Sequence, residues 1–216
     1  MRNELQNLLF RKFPTLYSNN KDTLQTIQFD CEDGWHCLAE TLSDLIVKRS
    51  SFIKVVRVNK KQGRLRFHLA NCAIKDRDFI AGATKITYIL SGIICTECAE
   101  RGVMFNGKAI SSRCPLHCGP ALPFLKRYSN IELPINTCGI GKMWHEMIIK
   151  LYRQIQENSK NTKVPVVVFT KITQTDGKLG IQYTGGNDNT KGMVSLLEAY
   201  SEKIDKETGH ILNLQF

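Results

Sequence analysis

Two clusters of metal-ligand residues constrain this chain more than any other feature. The first is Cys95-Thr96-Glu97-Cys98 and the second, beyond residues 99–113, is Cys114-Pro115-Leu116-His117-Cys118. Two thiolates with two residues between them reach adjacent corners of a tetrahedral ion, and a second pair closes the shell. The metal set is read as Cys95, Cys98, Cys114 and His117, with Cys118 as the alternative fourth ligand. Residues 103–110 fit a hairpin turning at Asn106-Gly107, and Pro115 suits the first position of a short helix. Either ligand set saturates a Zn2+ ion and leaves no position for water, which points to a structural cofactor. An isolated redox Cys-x-x-Cys is disfavoured because four ligands gather in place of two.

The apolar pattern around the cluster alternates between helical and strand periods. Residues 2–13 read as a short amphipathic helix with Leu5, Leu8, Leu9 and Phe13 on one side, stopped by Pro14. Ser18-Asn19-Asn20-Lys21-Asp22 reads as a loop. Asp33 is a plausible N-cap for a helix whose stripe is Trp35, Leu38, Leu42, Leu45 and Ile46, with Trp35 as a core anchor. Residues 53–58 and 64–69 read as a hairpin turning at Lys60-Lys61-Gln62-Gly63. Leu65, Phe67 and Leu69 face one way, and Arg64, Arg66 and His68 the other. A helix over 76–94 buries Phe79, Ile80, Ala83, Ile86, Ile89, Leu90 and Ile93, then delivers the chain to Cys95.

After a connector with three prolines the order repeats. Cys138-Gly139-Ile140-Gly141 leads into a helix with Trp144, Met147, Ile148, Leu151 and Ile155 inward. Residues 164–172 and 178–183 form a second hairpin at Thr175-Asp176-Gly177, and a last helix covers 190–206. The expected fold is α+β: a duplicated helix-strand-strand-helix unit around antiparallel sheet, with a small zinc-binding insert between the copies. The divisions are 1–94, the insert 95–119, the connector 120–134, and the metal-free copy 135–216. Pairing both hairpins in one sheet is the economical arrangement, and two separate lobes are the alternative. Aligned on the ends of the last helices, Cys95 falls opposite Asp205 and Cys98 opposite Thr208, so the second copy lacks the ligands. A duplication that supplies its own pairing favours a monomer.

The formal charge is +10, and its placement matters more than its size. No acidic residue lies between Asp44 and Asp76, an interval rich in lysine and arginine. Lys54, Arg57, Lys60, Lys61, Arg64, Arg66 and His68 are the candidate binding surface, suited to a phosphate backbone or an acidic protein face. A basic, merely solvated face is the bland alternative. Nothing reads as a signal peptide or an apolar membrane span, so a cytoplasmic location is expected. In that compartment Cys31, Cys37, Cys72 and Cys138 are small buried hydrophobes and not disulfide partners.

Phe13-Pro14-Thr15-Leu16, Cys31-Glu32-Asp33-Gly34-Trp35, Gly63-Arg64-Leu65-Arg66-Phe67 and the two cysteine clusters together resemble a family of small, uncharacterised phage and prophage zinc-binding proteins. That family carries Cys-Gly-Asp-Gly-Trp, Gly-x-Leu-Arg-Phe and Cys-x-x-Cys then Cys-x-x-His motifs. The likeness spans roughly residues 5 to 120, and Glu32 departs from the usual glycine. It implies His117 as the fourth ligand, a phage or mobile-element origin with action in the host cytoplasm, and inhibition of a host defence system, as anti-CRISPR proteins do. It implies no established activity.

No phosphate-binding loop, nucleophile elbow or zinc-protease helix is present, and His36, His68, His145 and His210 are scattered. A non-enzymatic binder of nucleic acid or a nucleoprotein complex is therefore expected. A protein-only inhibitor or adaptor acting on a host protein is the alternative, and a nuclease the third reading.

Overall fold

The computed structural model describes residues 1–18, 27, 29–106, 110–118, 139–161 and 164–212. The 120–134 connector, the 19–22 loop, Cys138 and the Gly107 half of the predicted turn lie outside them. Helix α1 (Asn3–Lys12) ends where Phe13, directly before Pro14, leaves the helical region at φ −127° and ψ 58°. The short α2 (Pro14–Tyr17) then starts on that proline. Strand β1 (Phe29–Asp30) leads through a 3-10 turn over Asp33–Trp35 into α3 (His36–Arg49). Strands β2 (Lys54–Lys61) and β3 (Arg64–Ala70) precede α4 (Ile74–Leu90). A small hairpin, β4 (Val103–Asn106) and β5 (Ile110–Arg113), runs into α5 (Pro115–Cys118). Helix α6 (Lys142–Asn161), strands β6 (Val168–Thr175) and β7 (Lys178–Thr184), and α7 (Asp188–Ser201) follow.

The two long hairpins share one construction. Strands of eight and seven residues are joined by a two-residue turn in each. Pairing runs from Lys54↔Ala70 to Lys61↔Arg64 with an irregularity between Val55 and Arg57. It runs from Val168↔Thr184 to Thr175↔Lys178 with an irregularity between Phe169 and Lys171. Both turns place two residues at positive φ, Gln62 and Gly63 at 52° and 71°, Asp176 and Gly177 at 50° and 75°. That is the primed turn that matches the twist of a hairpin.

The hairpins do not join in one sheet. β1 adds parallel to β2 to make a three-stranded sheet, while β4–β5 and β6–β7 form two-stranded sheets of their own. Each long hairpin lays its apolar face on its own helix, β3 on α4 and β7 on α7, and the halves meet through the helices. Helices α4 and α7 approach so closely that a Cβ on Gly82 would lie 1.9 Å from Asn189 O, and one on Gly192 would lie 1.9 Å from Phe79 O. This reciprocal contact explains why the one-sheet arrangement fails: the covering each hairpin needs comes from helices locked backbone to backbone.

The core runs through both halves and includes Trp35, Leu38, Leu42, Ile86, Leu90, Trp144, Met147, Leu151, Leu197 and Tyr200. Helix α3 is buried beyond its predicted stripe, with Cys37, Ala39, Thr41 and Ser43 also enclosed, because it packs on α2, α4 and α7. Helix α4 starts two residues before its predicted Asp76, whose buried carboxylate instead accepts from Arg49 Nε at 2.8 Å. Helix α7 starts at Asp188 because Asn187 and Thr190 form a capping box, and it stops at Ser201, short of the predicted 206. No helix among the described residues is long and apolar enough to cross a membrane.

Candidate metal centre and basic face

The end of α4 is held before the ligands begin. Ser91 Oγ accepts the Leu65 amide at 2.9 Å, which ties the helix terminus to β3. The Trp35 indole donates to Ser91 O at 3.1 Å and to Ile94 O at 3.2 Å. The chain then turns at Cys95–Cys98: Ala99 N donates to Cys95 O, and Cys95 N to Glu100 O. Thr96 N donates to Ser112 O at 2.9 Å, docking the turn on β5. The second pair opens α5, where the amides of His117 and Cys118 both return to Cys114 O.

These elements bring Cys95, Cys98, Cys114 and His117 together, with their ligand atoms all within 4.8 Å of one another. Cys98 Sγ lies 3.6 Å from Cys114 Sγ, and His117 Nδ1 lies 3.6 Å from Cys95 Sγ and 3.2 Å from Cys114 Sγ. Zn–S bonds of about 2.3 Å and Zn–N bonds of about 2.0 Å set tetrahedral edges of roughly 3.5–3.8 Å. The cluster is capable of coordinating a metal ion, and Nδ1 is the imidazole nitrogen that faces the sulfurs. Cys118 is not part of the group.

The electrostatics are asymmetric. Burial opposes ionisation of Cys95, but the amides of Cys98, Cys114 and Glu97 aimed at its sulfur hold its pKa below the usual thiol value. Burial pushes the Cys98 thiol up, and the neighbouring Cys114 and Cys95 sulfurs add to that. A cation between them relieves this opposition, because a coordinated thiol is deprotonated. Cys31 and Cys37 lie elsewhere in the core, and burial raises both to about 12. They are packing groups of the core.

A second turn at 205–210 repeats the backbone of the first without the sulfurs. Gly209 N donates to Asp205 O, and Asp205 N to His210 O, as Ala99 and Cys95 do in the first turn. Ala99 and Gly209 both sit at positive φ, 67° and 79°. Asp205 Oδ1 accepts from the Glu207 and Thr208 amides at 3.0 and 2.8 Å and from the Thr208 hydroxyl at 2.9 Å. The carboxylate thus gathers the amides that the Cys95 thiolate gathers in the first turn. The two turns touch, with Arg101 N donating to Thr208 O at 2.7 Å.

The predicted binding surface divides. Lys54 Nζ donates to Thr15 O and Ser18 Oγ, Lys60 pairs with Glu32, and Arg64 reaches Ile89 O while lying over the Tyr88 ring. These three are engaged within the fold. Arg57, Lys61, Arg66 and His68 remain on the outer face, where Arg57 pairs across the strands with His68. Partial burial, then the charges of Arg66, Arg57 and Lys61, hold the His68 pKa below its ordinary value. None of those three cations has a carboxylate within salt-bridge distance among the described residues. Helix α4 adds exposed Arg77 and Lys85 beside this face, which the sequence reading did not single out; their spacing along one helical stripe was the available signal.

The β4–β5 hairpin that leads to Cys114 and the basic hairpin are in contact. At the hairpin tip the backbone comes so near β4 and β5 that a Cβ on Gly63 would lie 2.7 Å from Met104 Cε and 2.8 Å from Ile110 Cγ2. Comparison of the chain with protein-family models, with curated proteins and with solved structures gives no match.

Proposed function

We propose that this chain is a non-enzymatic, zinc-stabilised binding protein that engages nucleic acid, alone or within a nucleoprotein complex, through the outer face of the β2–β3 hairpin. The observation that carries this reading is the group Arg57, Lys61 and Arg66, gathered on one face without carboxylate partners among the described residues. Such a face exchanges its counterions for those of a phosphate backbone. Zn2+ fits the donor set of three sulfurs and one imidazole, and it supplies a cross-link and no chemistry at an open position. Its work is to fix β4–β5 beneath the tip of the basic hairpin.

The chain is further read as a duplicated helix-strand-strand-helix unit in which the second copy has replaced its metal by Asp205 and Thr208. The matched hairpin registers and the like hydrogen bonding of the two turns support this, and the reciprocal helix crossing supports a monomer. The sequence resemblance supports a phage origin and a role in blunting a host defence complex that carries RNA or DNA.

Binding of labelled nucleic acid across a salt series tests the reading. Affinity is expected to fall steeply with salt, and Arg57→Glu with Lys61→Glu to abolish it. Salt-indifferent affinity, or a cellular partner retained in full after nuclease treatment with no binding to nucleic acid, refutes it in favour of a protein-only adaptor.

A further inference from the structure

An open cleft of about 630 Å3 runs between β3 and α4. β3 is the edge strand of its sheet, so the strand forms one wall and the exposed side of the helix forms the other. Arg66 and His68 stand on the strand wall, Arg77 and Lys85 on the helix wall, and the lining contains no acidic residue. Arg66, Arg77 and Lys85 have no carboxylate partner among the described residues. Between the walls the cleft is apolar, with Phe67 and Ile80 in its floor. Tyr88 also lines the cleft, and the Arg66 guanidinium lies 5.9 Å above its ring.

Cationic walls around an apolar floor suit a ligand with anionic and flat apolar parts. The volume falls within the roughly 300–1,000 Å3 of small-ligand sites, enough for a nucleotide or two. A duplex carries its phosphates on the outside of a rigid cylinder and keeps its bases stacked inside, so it cannot place a base between these walls. An unstacked single strand can, with its base against an aromatic or guanidinium plane. An acidic peptide matches the walls but offers little to the floor.

We infer that the cleft between β3 and α4 seats a short single-stranded stretch of nucleic acid, its phosphates against Arg66, Arg77 and Lys85 and a base on the floor beside Tyr88. The inference rests on the nucleic-acid reading above and adds the strandedness and the seat. The strand continues from the cleft onto the hairpin face at Arg57 and Lys61.

Fluorescence anisotropy with labelled oligo-uridine and oligo-thymidine, a duplex of matched length and poly-glutamate tests it across a salt series. The single strands should bind at least tenfold more tightly than the duplex. Arg77→Gln with Lys85→Gln, both exposed on α4, should keep the wild-type melting curve. They should weaken single-strand binding about tenfold or more and reduce the log–log salt slope by about 1.4, or 0.7 for each phosphate contact. Photocross-linking of 4-thiouridine RNA should map to Phe67 or Tyr88. Equal affinity for duplex with an unchanged Arg77/Lys85 variant overturns the cleft, while loss on Arg57→Glu and Lys61→Glu still upholds the hairpin face. Binding of poly-glutamate and of no nucleic acid overturns both.

Discussion

Replacing Gly82 by alanine should be among the most damaging small changes available to this fold. On an exposed helix the same change stabilises by about 1 kcal/mol through helix propensity. Here the new Cβ would sit 1.9 Å from Asn189 O and 2.8 Å from Asn189 C, both backbone atoms that cannot rotate away. Restoring an ordinary contact of about 3.5 Å requires the helices to part by roughly 1.5 Å. A radial gap of about 0.5–1 Å already forfeits a quarter to a half of the dispersion well. The α4–α7 face, with Ala83, Ile86, Leu90, Met193, Leu196 and Leu197 buried in the core, would lose a large part of its contacts. Overpacking costs about 1–3 kcal/mol, occasionally more. Taking the upper end of that cost and setting the propensity gain against it, a net loss of about 2 kcal/mol is expected for Gly82→Ala, and a similar loss for Gly192→Ala. For a chain of this size that lowers Tm by about 4–8 °C. The double variant should lose little more than either single one, because helices already parted accept the second methyl at small extra cost. Denaturation followed by circular dichroism at saturating zinc isolates this effect from metal loss. A neutral or stabilising Gly82→Ala, or full additivity in the double variant, would refute the reciprocal-contact argument.

Three further outcomes are expected. Cys98→Ser and His117→Ala should each lose the single equivalent of zinc measured by elemental analysis, whereas Cys118→Ala should retain it. Asp205→Ala should cost about 0.5–1 kcal/mol, the lower part of the range for losing a capping side chain, since the site is exposed. The Thr208 amide, then its hydroxyl and the Glu207 amide, hold the Asp205 carboxyl below its usual value. Its contribution is therefore complete above about pH 4 and disappears as pH falls through the lowered folded value, so denaturation of variant and wild type should converge in acid. Gln62→Asn should raise stability by about 0.5 kcal/mol, because Gln62 sits at φ 52° in a primed turn that favours Asn-Gly; an unfolding midpoint unchanged by the substitution would count against that turn.

What was legible in the sequence was local. Trp35 and Trp144 mark two helices, Gly63 and Gly177 mark two turns, and alternation around Leu65 and Leu179 marks the strands between them, because each pattern is complete within a few residues. The metal cluster was legible for the same reason, down to His117. The joining of the halves was not. Gly82 and Gly192 look like tolerated helix glycines until the opposing carbonyl is in view. β1 has two residues, too few for any periodicity. Which cations stay unpaired was not legible either. Lys60 finds Glu32, far back along the chain, while Arg77 and Lys85 are masked in sequence by Asp76 and Asp78, one of which turns inward to Arg49. Helix α7 ends early because Ile204 belongs to the second turn, where it bridges to Ile211.

The docking of the two turns bears on how the ion is captured and surrendered. The Cys95–Cys98 turn is shaped by Trp35, Ser112 and, through Arg101, by the metal-free turn at Thr208. The fold around this turn thereby fixes Cys95 and Cys98 from several sides. Cys114 is buried in the link between β5 and the one-turn helix that carries His117, and His117 is exposed. Of the four donors Cys95 and Cys114 are buried and His117 is exposed, so the imidazole marks the side from which a chelator would reach an ion held by this cluster.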